Sequence, residues 1–368
     1  MTLRPHALLG SGLLALLIGC SSSSRPVAVG AALSTPFIDA VRMAIEDVGM
    51  PTGMPVVDTV LRYEWSNRAA PAIELVDAFR KVRGLVGVVG HSNSSASLAT
   101  APLYNRDRVV QIAPTSTAAD YSSSGEFSFR LVPPDPEQGG FIADFIDSTW
   151  PGGARLALMY VNDDYGRGLR TALLARLDTL RHPIVHEQPH TDDEFVSPPP
   201  DRERRVRTTV AAMLTGKPDV VLWLGRPSTF ALYLEAIRES AGAIPIVAGD
   251  AFSSWFPQDR GNGNWHGIRY VDFLDLNGSD ASREFVARYQ VRFGRRAGSS
   301  ELLSYDAMRL LLAAIEDGCR SGDDVRRWLM SLGRERPPYP GASGPISFDA
   351  NGDIARSYVM VTIDSPRR

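Results

Sequence analysis

Short apolar runs alternate with amphipathic stretches along most of the chain. Val27-Ala28-Val29-Gly30-Ala31-Ala32 is apolar throughout, and residues 36–48 then repeat apolar side chains at helical spacing, with Ile38, Val41, Ala44 and Ile45 on one face. The same pairing recurs. Leu85–Gly90 predicts a buried strand before a helix at 94–104, and 109–113 another strand before a polar loop running to Gly125. Pro133-Pro134-Asp135-Pro136 predicts a rigid break ahead of a helix at 138–150. Leu156–Val161, Val220–Leu224 and 244–248 predict further short strands, each followed by a helix or a polar loop. Strands that are apolar at consecutive positions are buried on both faces. This order therefore predicts an α/β chain of doubly wound parallel sheets, with enough strands for two. A length of 368 residues, at roughly 150 residues per domain, also suggests two domains.

Residues 181–201 break the pattern. His182, His186 and His190 fall four apart, which on a helix would line up as metal ligands. Pro183 and Pro189 spoil that helix and no carboxylate spacing completes the set, so a surface loop without metal is expected. The run Arg202-Glu203-Arg204-Arg205-Val206-Arg207 is interrupted by an acid and predicts a solvated helix face. The chain carries 39 Lys+Arg against 42 Asp+Glu, a net charge of -3, with the arginines scattered rather than patched. That balance excludes a nucleic-acid partner, which needs a basic footprint.

The amino terminus is different. Residues 7–19, behind Arg4, are thirteen apolar or small positions, too few for the roughly 20 a membrane-spanning helix needs and suited to a secretory signal. The stretch ends Leu17-Ile18-Gly19-Cys20 and resembles the lipobox of bacterial lipoproteins. The resemblance implies that residues 1–19 are a lipoprotein signal and that Cys20 is lipidated. Residues 20–26, with Ser21 to Ser24, then form a flexible tether. Cys319 would be left without a disulfide partner, and the folded part would sit on the periplasmic side of the cell envelope, held to a membrane by its lipid.

In open parallel sheets ligands bind beyond the carboxyl ends of the strands, so candidate chemistry is read there. Ser94 and Ser95 follow the strand at 85–90 and open a helix, whose first turn has free N–H groups and can hold a carboxylate. Plain N-capping by either serine is the alternative. Gly90-His91-Ser92-Asn93-Ser94 nearly spells the nucleophile elbow G-x-S-x-G, but its last position is serine and no acid–histidine pair accompanies it. Thr115, Ser116 and Thr117 place hydroxyls after the next strand, and Tyr165 follows Leu156–Val161 in a turn that could close over a ligand. Arg226 follows Val220–Leu224. Asp250, at the next strand end, suits an ammonium group or a turn. No nucleophile–base pair, metal set or phosphate-binding glycine loop is visible, so neither an enzyme nor a cofactor is expected.

Five segments in order resemble the leucine/isoleucine/valine-type substrate-binding proteins of branched-chain amino acid ABC transporters, members of the type I periplasmic binding protein class. They are 89–95, 112–118, 163–168, Tyr305-Asp306-Ala307-Met308 and 344–353. The resemblance implies two α/β lobes joined by three crossovers, 27–134 plus 272–340 and 135–271 plus 341–368. The ligand would lie between them. It further implies that Ser94, Ser95 and Thr117 hold the ligand α-carboxylate, that the Thr115 carbonyl and Asp250 take its ammonium, and that Tyr165 packs on it. The first loop, Ala32-Leu33-Ser34-Thr35-Pro36, is shorter than the family's, and Asn93 stands where some members carry a disulfide cysteine. Arg226 would bring a positive charge to the cleft, suited to an acidic side chain or second carboxylate. The expected role is a monomeric, lipid-anchored binding protein that delivers an amino acid or similar small polar ligand to an ABC permease. The alternative is an envelope lipoprotein scaffold or regulator of the same fold, acting on a partner enzyme or receptor.

Overall fold

A computed structural model describes residues 27–49, 57–63, 68–192, 198–254 and 264–363. The expected signal segment, Cys20 and the tether lie outside the described residues.

The first sheet gathers β1 (Val27–Leu33), β2 (Val57–Tyr63), β3 (Leu85–Gly90), β4 (Val110–Ala113) and β5 (Ser128–Arg130) in the order β2-β1-β3-β4-β5, all parallel. Every residue of β1 is buried, as its unbroken apolar sequence requires. The helices α1 (Thr35–Val48), α2 (Ala69–Phe79) and α3 (Ser94–Asp107) link these strands. The predicted break at Pro133-Pro134 is followed by α4 (Asp135–Thr149), which starts three residues earlier than the apolar spacing predicts because Pro136 fits the first turn of a helix.

The second sheet is built from β6 (Leu156–Val161), β7 (Ile184–His190), β8 (Val220–Leu224), β9 (Ile246–Ala248) and β10 (Arg269–Asp272), with α5 (Asp164–Arg176), α6 (Arg202–Thr215) and α7 (Pro227–Ala241) between them. The chain then passes to α8 (Asp280–Phe293), α9 (Ser299–Glu316) and α10 (Gly322–Ser331), and to a small hairpin of β11 (Tyr339–Gly341) and β12 (Gly344–Ile346). The last strand, β13 (Val359–Thr362), runs antiparallel to β10, giving the order β13-β10-β9-β8-β6-β7.

The return of α9 covers the first sheet. It packs along α1, and Leu311 lies so close over β3 that a Cβ at Gly87 would sit 2.7 Å from its Cδ2. Tyr305-Asp306 has a structural use here, because the buried Asp306 carboxylate accepts from the backbone N–H of Ala342 (2.9 Å) and Ser343 (2.8 Å). Arg130, 1% exposed at the end of β5, donates to Asp353 from Nε (2.5 Å) and Nη2 (3.0 Å), and Ser122 donates to the same carboxylate.

One expectation is corrected. Residues 184–190 are not loop but the edge strand β7, paired in parallel with β6. An edge position tolerates Pro189, which has no N–H to offer a further neighbour. His182 and His190 are buried in this strand region, the first accepting from Ala154 N–H (3.1 Å) and contacting Asp147 (2.8 Å). Among the described residues no three His, Cys, Asp or Glu side chains gather as metal ligands, and no helix is long and apolar enough to cross a membrane. The arginine-rich run forms α6 with Val206, Val210 and Met213 buried.

Candidate functional site

A cavity of about 330 Å³ lies where the carboxyl ends of both sheets meet. From the first sheet, Ser34 and Phe37 follow β1, Ser92 and Ser94 follow β3, and Thr115 follows β4. From the second, Tyr165 follows β6, Arg226 follows β8 and Asp250 follows β9. A larger groove of about 990 Å³ runs between α4 and α5, and there Arg167 pairs with Asp164 (2.9 Å) and Arg176 with Asp144 (3.3 Å).

Glycine lets the loops reach this place. Gly90 has φ +147°, and a Cβ there would meet the Ala32 carbonyl at 2.6 Å, so only glycine brings the end of β3 against β1. The cap of α3 is Asn93, whose Oδ1 accepts from Ala96 N–H (3.0 Å), and not Ser94 or Ser95. The two serine hydroxyls are thereby free of capping. Ser94 Oγ accepts from Ala118 N–H (3.3 Å), and Ser95 Oγ accepts from Asp164 N–H (3.3 Å) at the start of α5, a contact between the two sheets' elements.

Five of the eight expected ligand residues line the cavity: Ser94, Thr115, Tyr165, Arg226 and Asp250. Ser95, Ser116 and Thr117 do not. Ser116 shares a 2.6 Å hydroxyl contact with Ser97 in the interior. Thr117 is fully buried, its hydroxyl beside Asp135 but outside hydrogen-bonding geometry. Thr115 donates to the Ser92 carbonyl (3.1 Å).

Asp250 is the electrostatic centre. Its Oδ1 accepts from Gln138 Nε2 (2.7 Å) and Tyr165 Oη (2.8 Å), which leaves Oδ2 for a ligand. Burial pushes its carboxyl up to about 6, and the two neutral donors hold it down only in part. Burial likewise raises Asp135 to about 8 and Asp272 to about 7, each with the Asp250 charge adding to the rise. Gln138 was not among the expected residues. It is a polar side chain opening the buried stripe that Ile142 and Ile146 continue on α4, and that break in an apolar face was its one signal in the sequence. Gly249 makes room for the arrangement, since a Cβ there would lie 2.6 Å from Tyr165 Oη and 3.3 Å from Gln138 Oε1.

The positive charge expected from Arg226 is already balanced. Its Nη1 donates to Asp192 (2.6 Å) and its Nη2 to Asp163 (2.7 Å), so the triad carries one net negative charge. The acids are themselves occupied: Asp192 accepts from Thr229 (2.7 Å), and Asp163 caps α5 by accepting from Gly166 N–H (3.0 Å). Nor does the near-elbow offer a nucleophile, because Ser92 Oγ is held by Ser34 N–H (2.8 Å) and His91 is buried against Tyr104 (3.4 Å). The cavity thus has helix-start donors on one side, a carboxylate acceptor on the other, and Phe37 and Phe273 as apolar wall. Such an arrangement has the donor, acceptor and dry surface that are complementary to a zwitterion.

Known proteins share this architecture. The chain is 22% identical to the leucine binding protein LivK from Thermotoga maritima, with TM-score 0.76 over 92% of this chain and 95% of that one. The branched-chain amino acid substrate binding protein LivJ from Streptococcus pneumoniae, solved with isoleucine, gives TM-score 0.78 at 17% identity over 93% and 97%. A solute binding protein from Rhodopseudomonas palustris in complex with 3,4-dihydroxy benzoic acid gives TM-score 0.74 at 17% identity over 92% and 94%. In sequence, the Leu/Ile/Val-binding protein of Citrobacter freundii is 21% identical over 362 residues, 92% of this chain and 93% of that one. The profile of the family described as periplasmic binding protein matches residues 26–367. With two mostly parallel sheets meeting at a shared cleft and that match over nearly the whole chain, the protein belongs to the periplasmic binding protein family.

Proposed function

We propose that this protein is the solute receptor of an ABC importer, held on the periplasmic side of the envelope through lipidated Cys20, and that it captures an amino acid between two lobes and hands it to a permease. One observation carries the reading: in a cavity shared by both sheets, Asp250 offers a carboxylate oxygen opposite the start of α3. The ligand α-carboxylate sits at Ser94 and the free N–H groups of α3, and its ammonium on Asp250 and the Thr115 carbonyl, with Tyr165 packed alongside. The names of the Citrobacter and Brucella relatives, Leu/Ile/Val-binding proteins and homologues of them, support an amino-acid ligand. The Rhodopseudomonas neighbour is a reminder that the fold alone does not fix the ligand.

The lobes comprise 27–134 with the returning helices from 272, and 135–271 with the final strand. The last crossover falls at 355–358 and not after residue 340 as the resemblance implied, because Asp306 and Arg130 tie residues 342–353 to the first lobe. Closure is a hinge motion favoured by contacts that exist only when both lobes touch the ligand, and a monomer suffices for it. A thermal-shift screen of the full-length chain in detergent tests the proposal. A ligand at 100 times its dissociation constant adds about 2.7 kcal/mol to stability, so an amino acid should raise the midpoint clearly. Absence of any shift from ligand-stripped, folded protein would favour the scaffold role instead.

A further inference from the structure

Once Asp250 and the start of α3 are assigned to the two ends of an amino acid, the remaining wall says what its side chain is. The inference rests on the amino-acid reading above and deepens it. Two aromatic rings, Phe37 and Phe273, face the cavity, but so do Ser34, Ser228, Ser253 and Ser300. A branched aliphatic side chain would cover these hydroxyls and offer them no hydrogen-bond partner of its own. Ser253 and Ser300 matter most. Both are 2% exposed, and their Oγ atoms lie 2.6 Å apart. When one hydroxyl donates to the other, the acceptor keeps a hydrogen of its own and both keep lone pairs, so the pair can serve a third group.

The pair also joins the two halves of the cleft. Ser253 belongs to the short turn after β9 in the second sheet, and Ser300 to the first turn of α9, which covers the first. Charged side chains do not fit. The Arg226 guanidinium is spent on Asp163 and Asp192, so among the described lining residues no free cation is left for an acidic ligand. Those two carboxylates are in turn taken up by Arg226, Thr229 and the α5 cap, so among the described lining residues no anion beyond Asp250 is left for a basic one. At about 330 Å³ the cavity stands near the small end of ligand sites, roughly 300–1,000 Å³.

We infer that the cleft selects a small amino acid with an uncharged polar side chain, a hydroxyl or an amide, and that the Ser253–Ser300 pair reads that group across the two lobes.

Isothermal titration of the full-length chain in detergent with the isosteric pair L-threonine and L-valine tests this, with L-asparagine against L-leucine as a second pair and L-aspartate and L-lysine as charged probes. The expected result is at least tenfold tighter binding of the polar member of one pair than of its apolar partner, with both charged probes weaker still. In Ser300→Ala and in Ser253→Ala that preference should shrink at least fivefold. Valine or leucine binding as tightly as its polar partner in both pairs, a charged probe binding tightest, or a preference unchanged in both serine variants would overturn the inference while leaving the amino-acid reading in place. Failure of every amino acid to bind folded protein would overturn both.

Discussion

A carboxylate sealed among neutral donors is an expense in the empty site that a cation can relieve. For Asp250, the rise from 3.8 to about 6 corresponds to roughly 3 kcal/mol against the ionised form in the folded chain. Because the folded value lies above the unfolded one, this cost is present at neutral pH and fades as pH falls through 6 toward 3.8. Asp250→Asn should therefore raise the thermal midpoint of ligand-free protein at pH 7.5 while weakening amino-acid binding by about 30-fold or more, measured by calorimetry and titration on the same sample. Acid should act in the same sense on binding. Below pH 6 the free carboxyl protonates, so affinity should drop by up to about tenfold per pH unit until the bound-state value is reached. Gln138→Leu removes a donor to the ionised form and should move the onset of that loss to higher pH, a shift that a merely structural role would not produce. Asp250, Tyr165, Arg226, Ser94 and Thr115 were legible as cavity-lining positions because each stands at a strand end, where the fold class alone places a cleft. Ser95, Ser116 and Thr117 sit in the same loops, but whether a loop hydroxyl faces the cavity, Ser97 or Asp135 is decided by neighbours far away in the chain.

Local backbone geometry carries the site at the scale of elements. At the start of α5 the helix turns so tightly off β6 that a Cβ on Gly166 would sit 2.0 Å from the Val161 carbonyl. That oxygen is backbone and not the end of a flexible side chain, so Gly166→Ala should cost about 3 kcal/mol, read as a fall in the urea midpoint, and should displace Tyr165 next to it. Strands buried on both faces announced themselves by unbroken apolar runs, and all of those predicted are present. Several strands escaped, among them β2, β5, β10 and β13; β7 was read as loop, since Ile184–His190 is neither continuously apolar nor cleanly alternating and holds a proline. It is a strand because β6 supplies the pairing, at an edge where half its hydrogen-bonding groups need no partner.

At the scale of the molecule, the chain's third passage between sheets is fastened by Arg130, Ser122 and Asp353. Arg130 is buried and Asp353 is its carboxylate partner, so Asp353→Ala leaves an uncompensated guanidinium and should cost about 3–5 kcal/mol, detectable as an earlier unfolding transition. The division into two sheets could be read from strand–helix alternation, whereas the return of residues 299–316 to the first sheet leaves no local mark and followed only from family resemblance. That return, and β13 closing on β10, have a kinetic consequence. During synthesis from the amino terminus, nearly all the strands emerge before α9 can cover the first sheet, and the edge of β10 stays open until residues 359–362 arrive. Such distant pairings form slowly. A chain whose covering helix and closing strand come so late is slow to complete either lobe, and a slow folder stays longer the kind of thread that a narrow translocation pore can pass.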